Sequence, residues 1–161
     1  MSELLQRVYS DRRATITLKI ISHASSLMCA LIYVLTVVSS FFAEPMRAVV
    51  LLVFGAAAFV LISLVRKIIN SPRPYECYDF YDILPKERLG LSFPSRHVFS
   101  AFIIGVMAFS VSVPLALAAL LMGVTLAACR VLLGIHYIRD VVAGAAAGAF
   151  FGTLGIFIIM I

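Results

Sequence analysis

The chain contains one apolar run that is too long for a single membrane span: VFSAFIIGVMAFSVSVPLALAALLMGVTLAACRVLLGI, residues 98–135. Arg130 is its only charged residue. A span needs about 20 mostly apolar residues. Pro114, which follows two nearby serines, is the natural place for a break. The run therefore predicts two membrane helices, over about 96–113 and 115–133.

Working outward from this run, further spans are predicted over about 22–42, 47–65 and 139–161. A polar, proline-rich loop over 66–94 separates the second span from the third. The first 21 residues alternate apolar and basic side chains, which predicts an amphipathic helix in the membrane interface; a partly disordered basic tail is the alternative. The expected fold is a single all-α membrane domain over 1–161, with five transmembrane helices and this N-terminal interfacial helix.

The composition excludes an ordinary soluble domain, because 63% of the residues are hydrophobic and only 13% are charged. The three cysteines are too far apart in the sequence to indicate a disulfide framework or a zinc site. The net charge of +5 is interpreted as membrane orientation and contact with anionic lipid, not as nucleic-acid binding. The expected partners are therefore the bilayer and its lipids.

Five spans would place three polar clusters on one face of the membrane: residues 66–74, 94–97 and 130–140. Twelve of the thirteen Lys and Arg residues would lie on that face, and only Arg47 would lie opposite. If five cations of the clusters are set aside as functional, seven basic residues remain against one. The positive-inside rule then predicts a cell-membrane protein with this face in the cytoplasm.

The third cluster contains Arg130, His136 and Asp140. On a helix, His136 and Asp140 would share a face, since they are four residues apart. A carboxylate beside one imidazole nitrogen fixes the tautomer and leaves the other nitrogen free to attack. The alternative is a loop histidine that pairs with a nearby aspartate at the membrane surface. Arg130 ends an apolar helix and therefore needs a partner or a water-filled cavity.

The other two clusters fit an anion site. Ser95 is a candidate N-cap, which would direct the start of the third span toward the clusters and place His97 beside a bound anion. His97 could then protonate a leaving alkoxide. Arg66, Lys67 and Arg73 offer cations suited to phosphate oxygens. Each cluster also has an alternative explanation. Residues 94–97 fit an ordinary helix start with an incidental histidine, and residues 66–74 fit basic residues that end a membrane span, followed by a rigid loop.

Taken in order, the clusters resemble the signature of the type 2 phosphatidic acid phosphatase superfamily. That signature is Lys-x6-Arg-Pro, then Pro-Ser-Gly-His, then Ser-Arg-x5-His-x3-Asp. The chain keeps the spacing within each motif, with Arg66 for the lysine, Arg96 for the glycine and Cys129 for the serine. Lys67 is one place out of register.

The resemblance implies a metal-independent lipid phosphatase without a cofactor, in which His136 forms a phosphohistidine, Asp140 orients it and His97 protonates the leaving oxygen. It implies that Arg66, Arg73, Ser95 and Arg130 bind the phosphate oxygens, together with a backbone N–H near Arg96. Lys67 and the side chain of Arg96 are further candidates for phosphate binding; Arg96 would bind a second phosphate or headgroup, or point to water. Substrates would be isoprenoid diphosphates such as undecaprenyl diphosphate, phosphatidylglycerol phosphate or phosphatidate. A non-catalytic protein that binds or transports lipid phosphates on the same scaffold is the alternative.

The last predicted span carries glycines at 144, 148 and 152, separated by alanines. Small residues at this spacing allow two helices to approach closely. The pattern favours packing within the chain, and a homodimer seam is the alternative.

Overall fold

The computed structural model describes residues 8, 10–77 and 89–161, and within these residues the chain is helical and contains no strand. The described residues form six helices that follow one another: α1 Arg12–Ala43, α2 Pro45–Ile69, α3 Pro74–Cys77, α4 Arg96–Ala108, α5 Val113–Leu132 and α6 Ile138–Met160. The helix α3 is a single turn in the loop after α2. The all-α fold class predicted from the sequence is confirmed for this part of the chain.

The N-terminal region differs from the prediction, because α1 continues through Ser22 without a break. The carboxylate of Asp11 caps its first turn by accepting hydrogen bonds from the backbone N–H groups of Arg13 and Ala14, at 2.8 and 3.3 Å. The predicted boundary between an interfacial helix over 1–21 and a first span from 22 was therefore wrong. Residues 1–7 and 9 of that predicted helix lie outside the described residues. At 32 residues, α1 is about 48 Å long and exceeds a hydrocarbon core of about 30 Å.

The long apolar run is divided at the predicted place. The helix α4 ends at Ala108, a turn follows, and α5 begins at Val113 with Pro114 in its first turn. Four of the described helices, α1, α2, α5 and α6, are long and apolar enough to cross a membrane. The third predicted span is shorter than expected, since the 13 residues of α4 extend only about 20 Å.

The short helix α4 lies at the centre of the bundle and packs against α6, α5, α1 and α2. Glycines on α6 make the closest of these contacts possible. A Cβ atom on Gly144 or Gly148 would lie 2.5 Å from the backbone oxygen of Ser95 or Phe99. This face of α6 is therefore occupied by α4, and the glycine pattern serves packing within the chain rather than a dimer seam.

The core is built by apolar side chains of α2 and α4, among which Leu51, Phe99 and Met107 are almost completely buried. Large apolar side chains of the other helices point outward, as expected for a protein surrounded by lipid. The helix α1 instead buries small polar residues such as Ser25 and Thr36, which allow close helix contact. The packing brings the end of α2 and the starts of α4 and α6 to the same end of the bundle as the end of α5.

Candidate active site

A cavity of about 510 Å³ opens at this end of the bundle. Its described lining carries five cationic side chains, two imidazoles and no carboxylate. The lining residues are Ser63, Arg66, Lys67, Arg73, Leu91, Arg96, His97, Arg130 and His136. The structure thus brings together seven of the nine predicted site residues in one cavity. The two others, Ser95 and Asp140, lie buried behind its wall.

His136 is held from behind by two buried groups. Its Nδ1 lies 3.6 Å from Oδ2 of Asp140 and 3.4 Å from Oγ of Ser92. Ser92 in turn donates a hydrogen bond to the same carboxylate oxygen. Because Nδ1 faces these partners, Nε2 lies on the ring edge away from them, where a reacting group can approach.

The helical geometry predicted for this pair was wrong, although the two side chains do meet. His136 lies in the turn before α6, and Tyr137 is the N-cap of that helix. The carboxylate of Asp140 accepts a hydrogen bond from the Tyr137 backbone N–H at 3.0 Å. The aspartate therefore caps its own helix and positions the imidazole at the same time.

The surroundings of His136 favour its neutral form. Burial lowers the pKa of this imidazole below its ordinary value, and the positive charges of Arg73 and Arg130 act in the same direction. The hydrogen bond and charge of Asp140 oppose the effect without reversing it. A neutral imidazole at physiological pH has a free electron pair on one nitrogen, which a nucleophile requires.

Two arginines of the first cluster are fixed by a tight turn at residues 90–91. Arg66 donates a hydrogen bond to the Leu91 carbonyl, and Nε of Arg73 donates to the Gly90 carbonyl at 2.9 Å. Both turn residues have positive φ angles, +66° at Gly90 and +57° at Leu91. A Cβ on Gly90 would also lie 2.4 Å from the side chain of Asn70, so this position favours glycine.

The start of α4 supplies the second cluster. His97 is exposed to the cavity, whereas Ser95 is fully buried. Ser95 is the N-cap residue, as predicted, but its side chain makes no capping hydrogen bond. Its backbone N–H donates to the carbonyl of Asp140 at 2.9 Å, which ties the start of α4 to the start of α6.

Sequence comparison identifies the family to which these motifs belong. The sequence model of the PAP2 superfamily matches residues 47–160, which include every residue of the cavity. The chain belongs to the PAP2 superfamily.

Two solved structures share the fold. One is LpxE from Aquifex aeolicus, with a TM-score of 0.67, 19% sequence identity, and coverage of 96% of this chain and 93% of that one. The other is the first transmembrane PAP2 type phosphatidylglycerolphosphate phosphatase from Bacillus subtilis, with a TM-score of 0.74, 20% identity, and coverage of 98% and 83%. No curated protein matches the sequence significantly. Membership of the superfamily supports a phosphatase activity in a membrane protein.

The three departures from the PAP2 signature occupy different surroundings. Arg66 is only 6% exposed and keeps a cation in the cavity wall where the family has lysine. Cys129 is buried and does not line the cavity. Arg96, in place of glycine, lines the cavity and stacks on the ring of Phe59, with its guanidinium carbon 5.3 Å from the ring centroid.

Sequence reasoning missed two residues that hold the PAP2 site together. Ser92 is fully buried between the catalytic candidates, and its backbone N–H donates to the Ser71 carbonyl at 2.9 Å. Glu76 accepts hydrogen bonds from the backbone N–H groups of Arg73 and Gly90, at 3.1 and 2.7 Å. Neither residue stands in a periodic pattern. The sequence indicated only that a serine and a glutamate lie near two of the motifs in irregular loops, which does not predict their contacts.

Proposed function

We propose that this PAP2 protein is a metal-independent lipid phosphatase that works through a phosphohistidine on His136. The observation that supports it most is the cavity itself, where five cations surround two imidazoles and the described lining contains no carboxylate. Cations held in a partly buried site require an anion or water to offset their charge. A phosphate group satisfies that requirement and is the group on which a neutral imidazole could act.

The proposed reaction has two steps. The Nε2 electron pair of His136 attacks phosphorus, the bond from phosphorus to the lipid oxygen breaks, and that oxygen receives its proton from His97, which acts in its imidazolium form and becomes neutral. Water then attacks the phosphohistidine, the phosphorus–nitrogen bond breaks, and His97 accepts a proton from the water. The products are the dephosphorylated lipid and inorganic phosphate.

The cations have distinct positions in this reaction. Arg66 and Arg73 are held by backbone carbonyls, so their guanidinium groups are fixed before substrate arrives. Arg130 ends α5, and its carbonyl accepts the backbone N–H of His136 at 3.2 Å, which couples the cation to the nucleophile. Lys67 is exposed at the cavity edge, where it attracts anionic headgroups. These side chains stabilise the charge that develops on the phosphoryl oxygens.

Ser95 and the start of α4 complete the proposed phosphate site. The hydroxyl of Ser95 is buried behind the cavity wall and makes no hydrogen bond within the described residues, so the wall must open toward the phosphate for this hydroxyl to donate. The first turn of α4 also presents backbone N–H groups and the positive end of the helix dipole. A bound phosphate would therefore meet donors from the helix as well as from the arginines.

The proposed topology has five membrane crossings, with α4 as the short one, and places the cavity on the cytoplasmic face of the cell membrane. The charge asymmetry of the sequence supports this side. Native Cys77 can test it, since it is exposed near the cavity while Cys29 and Cys129 are buried. A membrane-impermeant thiol reagent should label Cys77 only after the cells are opened, and the Cys77→Ser variant should remain unlabelled. Labelling of Cys77 in intact cells would contradict the proposed side.

The activity is tested with purified protein in detergent containing EDTA, offered phosphatidate, phosphatidylglycerol phosphate and a prenyl diphosphate, with released phosphate as the readout. Turnover should persist in EDTA and fall at least about a thousandfold in His136→Ala. His23→Ala is the matched control, because His23 is an exposed histidine outside the cavity, and it should retain full turnover. Acid-labile phosphate on the wild-type protein, absent from His136→Ala, would identify the intermediate. Binding of all three lipids without turnover would favour the non-catalytic alternative.

A further inference from the structure

Arg96 lies where the polar cavity meets an apolar space inside the bundle. A second pocket, of about 190 Å³, shares Arg96 and His97 with the cavity and continues past Phe59, Ser100 and Ile104. A third, of about 370 Å³, shares those last three residues and continues to Met107. Together the two pockets form a groove between α4 and the helices α1 and α2, which we call the apolar groove. Its entrance from the cavity is the position of Arg96.

The dimensions of the apolar groove fit one hydrocarbon chain. From Arg96 to Met107 the helix α4 rises about 17 Å, which is about half of a hydrocarbon core of 30 Å. Beyond Arg96 and His97 at the entrance, the lining is apolar except for a few hydroxyl groups and a free thiol. A lipid whose phosphate lies in the cavity can therefore place a chain in the groove, and the atoms that connect phosphate and chain must pass Arg96.

This geometry gives a lipid diphosphate two separate phosphate positions. The terminal phosphate would lie at His136 among Arg66, Arg73 and Arg130, and the proximal phosphate would lie at the entrance of the groove. Arg96 cannot move freely there, because its guanidinium group stacks on Phe59. A lipid monophosphate would leave this fixed cation beside an uncharged ester or alcohol group.

We propose that Arg96 is a specificity-determining residue that binds the proximal phosphate of a lipid diphosphate, whose hydrocarbon chain occupies the apolar groove. The proposal rests on the phosphatase activity proposed above and names its substrate class. His136 attacks the terminal phosphorus, and the bond from that phosphorus to the bridging oxygen breaks. The electron pair remains on the lipid monophosphate, whose new charge lies beside Arg96. Water then hydrolyses the phosphohistidine, so that one lipid diphosphate and one water give one lipid monophosphate and one inorganic phosphate.

The test compares substrates that share a tail: farnesyl diphosphate with farnesyl monophosphate, and diacylglycerol diphosphate with phosphatidate. Wild-type protein should show a kcat/KM about tenfold to a hundredfold higher for the diphosphate, the range expected for a hydrogen bond to a charged group. Arg96→Gly should remove most of this preference, chiefly through a higher KM for the diphosphate. Arg96→Lys should retain part of it. The pair with the larger preference identifies the prenyl or diacyl source.

Two controls separate the role of Arg96 from a general effect of charge or folding. Arg13→Gln removes one exposed cation from α1 outside the cavity and should leave the substrate ratio unchanged. Phe59→Leu removes the stacking partner and should lower the ratio, whereas Phe59→Tyr should keep it.

Equal kcat/KM values for both members of each pair, or a ratio that survives Arg96→Gly, would overturn the proposal and leave the phosphatase assignment intact. If the wild-type protein instead turned over none of these substrates, the phosphatase assignment on which the proposal rests would be refuted.

Discussion

Both ends of the helical bundle carry arginine side chains, but only one end is arranged to receive an anion. At the end that contains Glu44, Arg47 and Ser110, which we call the closed end, Arg47 pairs with Glu44 at 2.8 Å and donates to the Ser110 carbonyl at 3.0 Å. At the opposite end, which holds the cavity and which we call the open end, five cations surround one space, and the described lining of that space contains no carboxylate. Charge alone therefore does not identify a site in a membrane protein. What distinguishes the open end is positive charge concentrated around a space large enough for a ligand.

Asp140→Asn should have the largest effect among substitutions at the open end that leave the nucleophile in place. The change removes the carboxylate that orients His136 and stabilises its imidazolium form, so kcat should fall by about a thousandfold to ten-thousandfold. The wild-type acid limb should lie below pH 6.5, since burial lowers the pKa of His136. Asp140 raises that pKa, so the limb should move to still lower pH in the variant. A pH–rate profile measures both effects, and an upward shift would contradict the assignment.

His97→Gln should have the next largest effect, because it removes the proposed proton donor while keeping a polar side chain in the cavity. The expected loss in kcat is about a hundredfold to a thousandfold. The loss should be smaller for a diphosphate than for a monoester, since a phosphate leaving group needs less help from an acid than an alkoxide does. Steady-state kinetics on both substrate types provide the measurement. An equal loss on both would remove His97 from the role of acid.

Ser92→Ala should lower kcat about tenfold with little change in KM, because Ser92 contacts His136 and Asp140 but does not line the cavity. Ser92→Thr retains a hydroxyl group and should recover part of the rate. A merely structural role predicts instead that both variants lose thermal stability in parallel with activity. Measurement of kcat, KM and the melting temperature for both variants distinguishes these cases.

Arg47→Gln at the closed end should have the smallest effect on activity. The pair with Glu44 is partly exposed, so its loss, with that of the bond to Ser110, should cost about 1 kcal/mol of stability. Turnover at saturating substrate should equal that of the wild type, while the melting temperature decreases slightly. If Arg47→Gln reduced kcat as strongly as a cavity substitution, the contrast between the two ends would be invalid.

The sequence predicted that the residues of the open end lie together, because successive spans cross the membrane in opposite directions and alternate span ends must share a face. Once Pro114 divides the long apolar run, Arg66, His97, Arg130 and His136 must approach the same membrane face. The continuity of α1 through residue 22 was not predicted, because the basic residues that favour an interfacial helix do not show whether that helix ends before the first span. Asp11, which caps it, was overlooked.

Other features could not be predicted because they depend on contacts between distant loops. The turn at Gly90 and Leu91 fixes two arginines, yet no local pattern shows which carbonyls will point toward them. Ser92 gains its role only when the loop after α2 lies against the start of α6. His136 lies outside α6 because Asp140 caps that helix at Tyr137. The four-residue spacing of His136 and Asp140 had predicted a shared helical face, and it gives no sign of this capping.

The shortness of α4 has a consequence for the depth of the cavity. The helix lies inside the bundle and extends about 20 Å within a hydrocarbon core of about 30 Å, so about 10 Å of that thickness is not spanned by it. The cavity at the start of α4 can therefore hold a phosphate below the level of the lipid headgroups. The thickness of the host bilayer thus becomes a physical variable in how easily a substrate leaves the leaflet for the protein.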